Sequence, residues 1–179
     1  MSALVRWPHA WAAWLRLACV LGWAGILMAL SAPVQAQVER LDDSTSPRGQ
    51  VQATLDDGGI ARPGSTVTPF AQVNFGRIDY RLNTARYVGR RARIYYVLPA
   101  AVPGLRTPQA ITVQWRGQGL FASGQGRPGE RIPVWNGVVP GPWITESLDL
   151  SWRVDMRELR LSRGQPLGFE AYFEIELLP

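Results

Sequence analysis

The chain has 179 residues, of which 46% are hydrophobic and 18% are charged, a balance typical of a folded domain. Its one histidine and one cysteine both lie within the first 36 residues, and all nineteen basic residues are arginine. Residues 37–179 therefore lack the His, Cys and Lys side chains on which most catalytic nucleophiles, general bases and zinc or copper sites depend.

The N-terminal segment has the order of a secretory signal. Residues 1–16 contain Arg6 and Arg16 and no acidic residue, and an uncharged run over residues 17–30 follows them. Residues 31–36 then place small side chains at the positions that signal peptidase reads. This order predicts a cleaved signal peptide over residues 1–36. The uncharged run is shorter than the roughly 20 residues of a spanning helix, so we expect no stable membrane span after cleavage.

The next segment is polar and predicts a flexible leader over residues 37–48, followed by one domain over residues 49–179. A first strand is predicted from the alternation of Val51, Ala53 and Leu55, which ends at a strong Asp-Asp-Gly-Gly turn signal. These three residues either begin their own domain or serve as a donor strand for another subunit.

Short runs rich in β-branched and aromatic residues then alternate with Gly and Pro clusters, which is typical of an all-β domain. We predict a single antiparallel β-sandwich, immunoglobulin-like, with about seven to nine strands and no disulfide, because no cysteine follows residue 36. The later predicted strands cover residues 67–75, 94–98, 111–115, 131–135, 148–155 and 169–177.

The last strand has the clearest pattern, since Phe169, Phe173 and Leu177 belong to an apolar set that alternates with glutamates and a tyrosine. Successive strand residues point to opposite faces, so one face is expected to be buried and the other to meet water. Pro69 and Pro133 lie in predicted strands and favour edge positions for them, because proline cannot donate to the ladder. A short helical turn is predicted near residues 156–161.

Arginines are concentrated in the middle of the chain and are interleaved with tyrosines. This pattern indicates either an anionic-ligand patch, for envelope lipid or polysaccharide, or a solvated face whose charges pair with the C-terminal glutamates. Because the chain is predicted to be exported, no nucleic-acid partner is predicted. The candidate residues are Arg77, Arg81, Arg86, Arg90, Arg91 and Arg93.

Four tryptophans follow residue 36. Trp115 and Trp152 occur in the apolar rows of predicted strands, which favours a place in the core. Trp135 and Trp143 lie next to turn residues and are the candidates for stacking against a sugar ring.

No pattern predicts a catalytic residue, a cofactor site or a metal site. Residues 124–129 match G-x-G-x-x-G, but they lead into a strand-like segment and not a helix, which favours a glycine-rich hairpin over a nucleotide site. The chain has no G-x-S-x-G elbow and no calcium-loop spacing. We therefore predict that the protein is not an enzyme.

The segment Asn74-Phe75-Gly76-Arg77-Ile78, with the long alternating strand at the end, resembles bacterial pilin-type domains, the chaperone–usher fimbrial subunits and spore-coat-U-like proteins. The resemblance implies a structural or assembly subunit of a surface fibre, with other subunits and a periplasmic chaperone as partners. It also implies export to the periplasm or cell surface of a Gram-negative bacterium. The chain departs from the family in lacking a cysteine pair after residue 36.

The alternative is a soluble periplasmic or secreted binding module for an envelope partner or polysaccharide. The first strand distinguishes the two functions. Pairing of residues 49–55 within their own domain favours the binding module, whereas a free strand beside an open sandwich favours the fibre subunit.

Overall fold

The computed structural model describes residues 37–46, 53–55, 69–160 and 167–179, whose regular structure consists of nine β-strands and three single-turn 3-10 helices. No helix among these residues has the length and apolarity needed to cross a membrane. The strands are β1 (Val38–Arg40), β2 (Ala53–Leu55), β3 (Phe70–Asn83), β4 (Arg91–Val97), β5 (Ile111–Gly117), β6 (Gly124–Gly126), β7 (Arg131–Val138), β8 (Trp143–Asp155) and β9 (Tyr172–Leu177). The 3-10 helices are Ala85–Tyr87, Pro108–Ala110 and Met156–Glu158.

The strands form two antiparallel sheets, one of four strands in the order β1-β9-β4-β7 and one of five in the order β2-β3-β8-β5-β6. The described residues are thus all-β, as predicted, and the β-sandwich class is confirmed. No cysteine lies among the described residues, so none of them forms a disulfide. Consecutive strands lie in different sheets except at β2–β3 and β5–β6, and the chain therefore crosses repeatedly between the sheets.

Alternation along the strands builds that core. On β9, Phe173, Ile175 and Leu177 are buried while the residues between them are half-exposed. Phe173 contacts aromatic rings from both sheets, with centroid distances of 5.0 Å to Tyr96 and 5.1 Å to Tyr80. Such pairs add about 0.5–1.5 kcal/mol each beyond the area that they bury. The predicted core positions of Trp115 and Trp152 are confirmed, at 4% and 6% exposure.

Strand β3 is longer than predicted. The arginine- and tyrosine-rich residues 76–83 continue it, because Tyr80 and Leu82 are buried in the core and Ile78 packs partly buried against it. Its pairing with β8 is offset at Gly76, whose φ of 69° suits a β-bulge that other residues adopt with strain. The edge position predicted for Pro133 is confirmed on β7, whereas Pro69 precedes β3, which is an inner strand.

The segment predicted as a flexible leader contains ordered structure. Strand β1 pairs with β9, and the next residue, Leu41, is 2% exposed and donates its N–H to the Phe173 carbonyl at 2.8 Å. A three-residue strand is too short to show a period, and its partner lies more than 130 residues away. The sequence pattern alone therefore missed it, and this part of the prediction is corrected.

We expect Leu41→Ala to lower the free energy of unfolding by about 2 kcal/mol, at the low end for a buried leucine because the segment lies near one end of its sheet. Urea denaturation followed by tryptophan fluorescence measures the change. Substitution of the neighbouring exposed Asp42 by asparagine is the control. Equal midpoints for Leu41→Ala and the unchanged protein would mean that β1 does not dock in solution.

Several predictions fall outside the described residues. They are the signal peptide over residues 1–36, the end of the leader at residues 47 and 48, Val51 of the first strand, and the turn at residues 56–59.

Candidate binding surface

The outer face of the five-stranded sheet presents side chains from several paired strands side by side. The inner residues of β8 are buried from Ile144 to Val154, so its odd-numbered residues point away from the core. Residues paired across antiparallel strands share a face, and the register therefore identifies the outward residues of β3, β5 and β6 as well. We call this surface the sheet face.

A row of four uncharged polar residues crosses the middle of the sheet face. Asn74 pairs with Ser151, Ser151 with Gln114, and Gln114 with Gln125. The row spans β3, β8, β5 and β6, or three interstrand spacings of about 4.8 Å each. Asn74, Gln114 and Gln125 are exposed and Ser151 is half-buried. No side chain of this amide row forms a hydrogen bond within the described structure.

Charged residues flank the amide row and largely satisfy one another. On one side, Asp149 lies between Arg77 and Arg116. Its Oδ1 is 4.0 Å from Arg77 Nε, and its Oδ2 accepts a hydrogen bond of 2.5 Å from Gln118 Nε2. In the next row, Ser147 donates to Asp79 at 2.6 Å. On the other side of the amide row, Gln72, Arg153 and Thr112 form the adjacent row.

Aromatic rings stacked with arginines mark both ends of the sheet face. Arg81 lies over the Trp143 ring at 4.4 Å, and Arg153 lies over the Phe70 ring at 3.9 Å. Beside Phe70, Asp155 accepts two hydrogen bonds from the Arg157 guanidinium. These bonds lower the pKa of Asp155 and, with the bond from the Arg157 N–H, outweigh burial, which raises it. These stacks hold guanidinium groups flat against the surface.

A buried carboxylate fixes the loop at the border of this face. Glu146 on β8 is 2% exposed, and its two oxygens accept the backbone N–H groups of four consecutive residues, at 2.5–3.1 Å. The donors are Gln118, Gly119, Leu120 and Phe121. A Cβ at position 119 would lie 3.0 Å from Glu146 Oε2, so glycine permits the close approach. The loop that carries Gln118 is thereby held in one conformation.

The predicted arginine patch is divided by the fold. Arg77 and Arg81 belong to the sheet face, whereas Arg91 and Arg93 lie on β4 in the other sheet, whose outer side points the opposite way. Arg86 and Arg90 lie in the connection between them, where Arg86 forms a 2.6 Å ion pair with Glu39.

The predicted pairing of arginines with C-terminal glutamates occurs on the four-stranded sheet. Arg131 donates to Glu174 at 2.7 Å and lies over the Tyr95 ring. The Tyr95 hydroxyl in turn donates to Glu176 and accepts a hydrogen bond from Arg93. This side of the sandwich therefore has its charges matched internally.

The two tryptophans proposed for sugar stacking have different positions. Trp135 is half-buried and packs against the core, because its place on β7 faces Ile94 across the sheet. Trp143 is 38% exposed at one end of the sheet face, with Arg81 over its ring. Only Trp143 retains an accessible ring.

The first-strand residues Ala53 and Leu55 pair with Val73 and Ala71 of β3 in the same chain. The glycine-rich segment enters β6, the second strand of the β5–β6 hairpin, and opens no helix, as predicted. The amide row was missed from the sequence because its members lie up to 77 positions apart and only the register aligns them. Their alternation with buried residues on each strand was the available signal.

Among the described residues, no three His, Cys, Asp or Glu side chains converge as a metal site would require. Comparison of the chain with protein-family models, with curated proteins and with solved structures gives no match.

Proposed function

We propose that this protein is an exported, non-catalytic binding module of the bacterial envelope. The observation that carries the proposal is the pairing of both N-terminal strands within the chain, β1 with β9 and β2 with β3. A sandwich that pairs its own first strands does not use them to complete a neighbour. The lack of His, Cys and Lys after residue 36 supports a role without catalysis.

The order of charged, apolar and small residues over positions 1–36 supports export. When the full chain is expressed in a Gram-negative host, we expect mass spectrometry of the purified protein to find Gln37 at its N-terminus. An intact Met1 would contradict export by cleavage.

A second candidate, the fibre subunit, is favoured by one edge of β3. Strand β2 covers only residues 71–73 of β3, and near the other end Ser46 and Asp42 accept the N–H groups of Arg81 and Asn83. Between these contacts, no strand of the described structure pairs with the outer edge of β3 at residues 74–80. Residues 47–52, which connect Ser46 to β2 in sequence, lie outside the described residues; a strand edge that is unpaired can accept an added strand.

Oligomeric state and envelope binding distinguish the two functions. We expect the full chain, purified by a C-terminal tag, to remain monomeric in size-exclusion chromatography with light scattering at all concentrations tested. We also expect saturable co-sedimentation with envelope fragments of the bacterium that makes it. Polymers that form as the concentration rises, without binding to envelope fragments, would contradict the binding module and support the fibre subunit.

A further inference from the structure

The amide row offers hydrogen-bonding groups that the protein itself does not use. Each carboxamide presents two N–H donors and one carbonyl acceptor in a plane, and a serine hydroxyl both donates and accepts. All four side chains lack a hydrogen-bond partner within the described structure, whereas Asp79, Asp149 and Asp155 on the same face accept bonds from neighbours. The uncharged groups are therefore the ones available to a ligand.

The residue composition of the sheet face favours some classes of ligand and disfavours others. With Arg157, which pairs with Asp155 beside Phe70, the face carries five arginines and three aspartates, a net charge of +2, and the three carboxylates among the arginines disfavour a polyanion held by phosphate contacts. Among the described residues of this face, Trp143 is the only exposed large apolar one, and they offer no continuous apolar area of the kind that lipid or a stable protein interface needs. The charged residues of the face are Arg77, Arg81, Arg116, Arg153, Arg157, Asp79, Asp149 and Asp155.

We propose that the amide row binds an uncharged polysaccharide chain that runs across strands β3, β8, β5 and β6. Sugar hydroxyls donate and accept hydrogen bonds at close spacing, and the row supplies both kinds of partner over about 14 Å, three interstrand spacings. Arg77 and Arg116, on either side of Asp149, border the row and add donors for ring or hydroxyl oxygens. This inference rests on the proposed binding function and names its ligand class.

The rigidity of the site supports this assignment. Two of the row's residues, Ser151 and Gln114, lie on strands that are paired on both sides, so their backbones are fixed before a ligand arrives. Gln118, whose side chain donates to Asp149 in the row beside the amide row, lies in a loop held by four hydrogen bonds to Glu146. A preformed site lowers the ordering cost of binding.

The test uses the full chain, purified by a C-terminal tag, on a glycan array that carries neutral and acidic bacterial oligosaccharides. We expect binding to at least one neutral oligosaccharide, followed by calorimetric titration with that compound. The double variant Asn74→Ala/Gln114→Ala removes two hydrogen-bonding groups and is expected to weaken binding about tenfold. The single variant Gln125→Ala, at the end of the row, is expected to weaken it less.

The matched control is Asn136→Ala, an exposed amide on β7 of the opposite sheet, which should leave the affinity unchanged. Urea midpoints of all variants confirm that they fold. Binding to no neutral glycan, binding to acidic glycans alone, or unchanged affinity in the double variant would overturn the proposal. If envelope co-sedimentation persists in any of those cases, the binding module stands and only its ligand class is wrong.

Discussion

Replacing Glu146 with alanine is expected to lower the free energy of unfolding by about 3 kcal/mol, because the substitution leaves four backbone N–H groups without their acceptor. The loss is not larger because the loop at Gln118, Gly119 and Leu120 is exposed and can rearrange toward water. Urea denaturation measures the change, and hydrogen exchange should show lost protection at Gln118–Phe121.

The variant Glu146→Gln tests whether the charge of the side chain or its shape stabilises the loop. An amide fills the same space but offers only one acceptor oxygen, and its N–H groups would face backbone donors. We therefore expect a destabilisation close to that of Glu146→Ala. Glu158→Gln, on the half-exposed 3-10 turn after β8, is the control and should change stability by less than about 0.5 kcal/mol. A fully stable Glu146→Gln protein would show that loop ordering does not depend on the carboxylate.

Phe173→Ala is expected to cost about 4 kcal/mol, the largest effect of any single substitution proposed for this chain. Phe173 is 0% exposed and lies at the centre of an aromatic cluster that joins the two sheets. Its ring contacts Tyr80, Tyr96 and Phe121 at centroid distances of 5.0–5.6 Å. Removing it leaves a cavity that neighbours fixed on paired strands cannot close. Thermal and urea unfolding measure the loss.

The neighbouring residue provides a control for the orientation of β9. Tyr172 points to the outer side of the four-stranded sheet, where Arg40 lies over its ring at 4.4 Å. Tyr172→Ala should therefore cost less than half as much as Phe173→Ala. Equal losses would mean that the side chains of β9 do not alternate between core and solvent as described.

The two candidate functions use different parts of the same sheet. A strand added at β3 would extend the sheet sideways and leave its outer face accessible, so a fibre subunit could still bind polysaccharide through the amide row. The glycan test and the oligomeric-state test therefore answer separate questions. Monomers that bind a neutral glycan would support both the binding module and its ligand class.

Some strands could be predicted from the sequence and others could not, and the difference has physical reasons. Alternation was strong where one face is buried and the other is wet, so residues 148–155 of β8 and the whole of β9 were predicted, and Trp115 and Trp152 were assigned correctly to the core. Residues 143–147 of β8 were not predicted, and residues 169–171, predicted as strand, precede β9. The sequence pattern did not predict a strand at residues 76–83 of β3, because arginines occupy outward positions there and the segment has the pattern of a charge cluster. Strand β1 was missed because its stability comes from pairing with β9 and not from its own composition.

The chain's local patterns alone determined the all-β class, the inward rows of β9 and of residues 148–155 in β8, the edge position of Pro133 and the absence of cysteine, histidine and lysine beyond residue 36. These properties depend on side-chain identity and on a period of two, which neighbouring residues carry. Only the tertiary structure divided the arginines between opposite sides, buried Glu146 beneath four N–H groups, and aligned Asn74, Ser151, Gln114 and Gln125. Those features depend on the register between strands distant in sequence, which packing of the whole core sets.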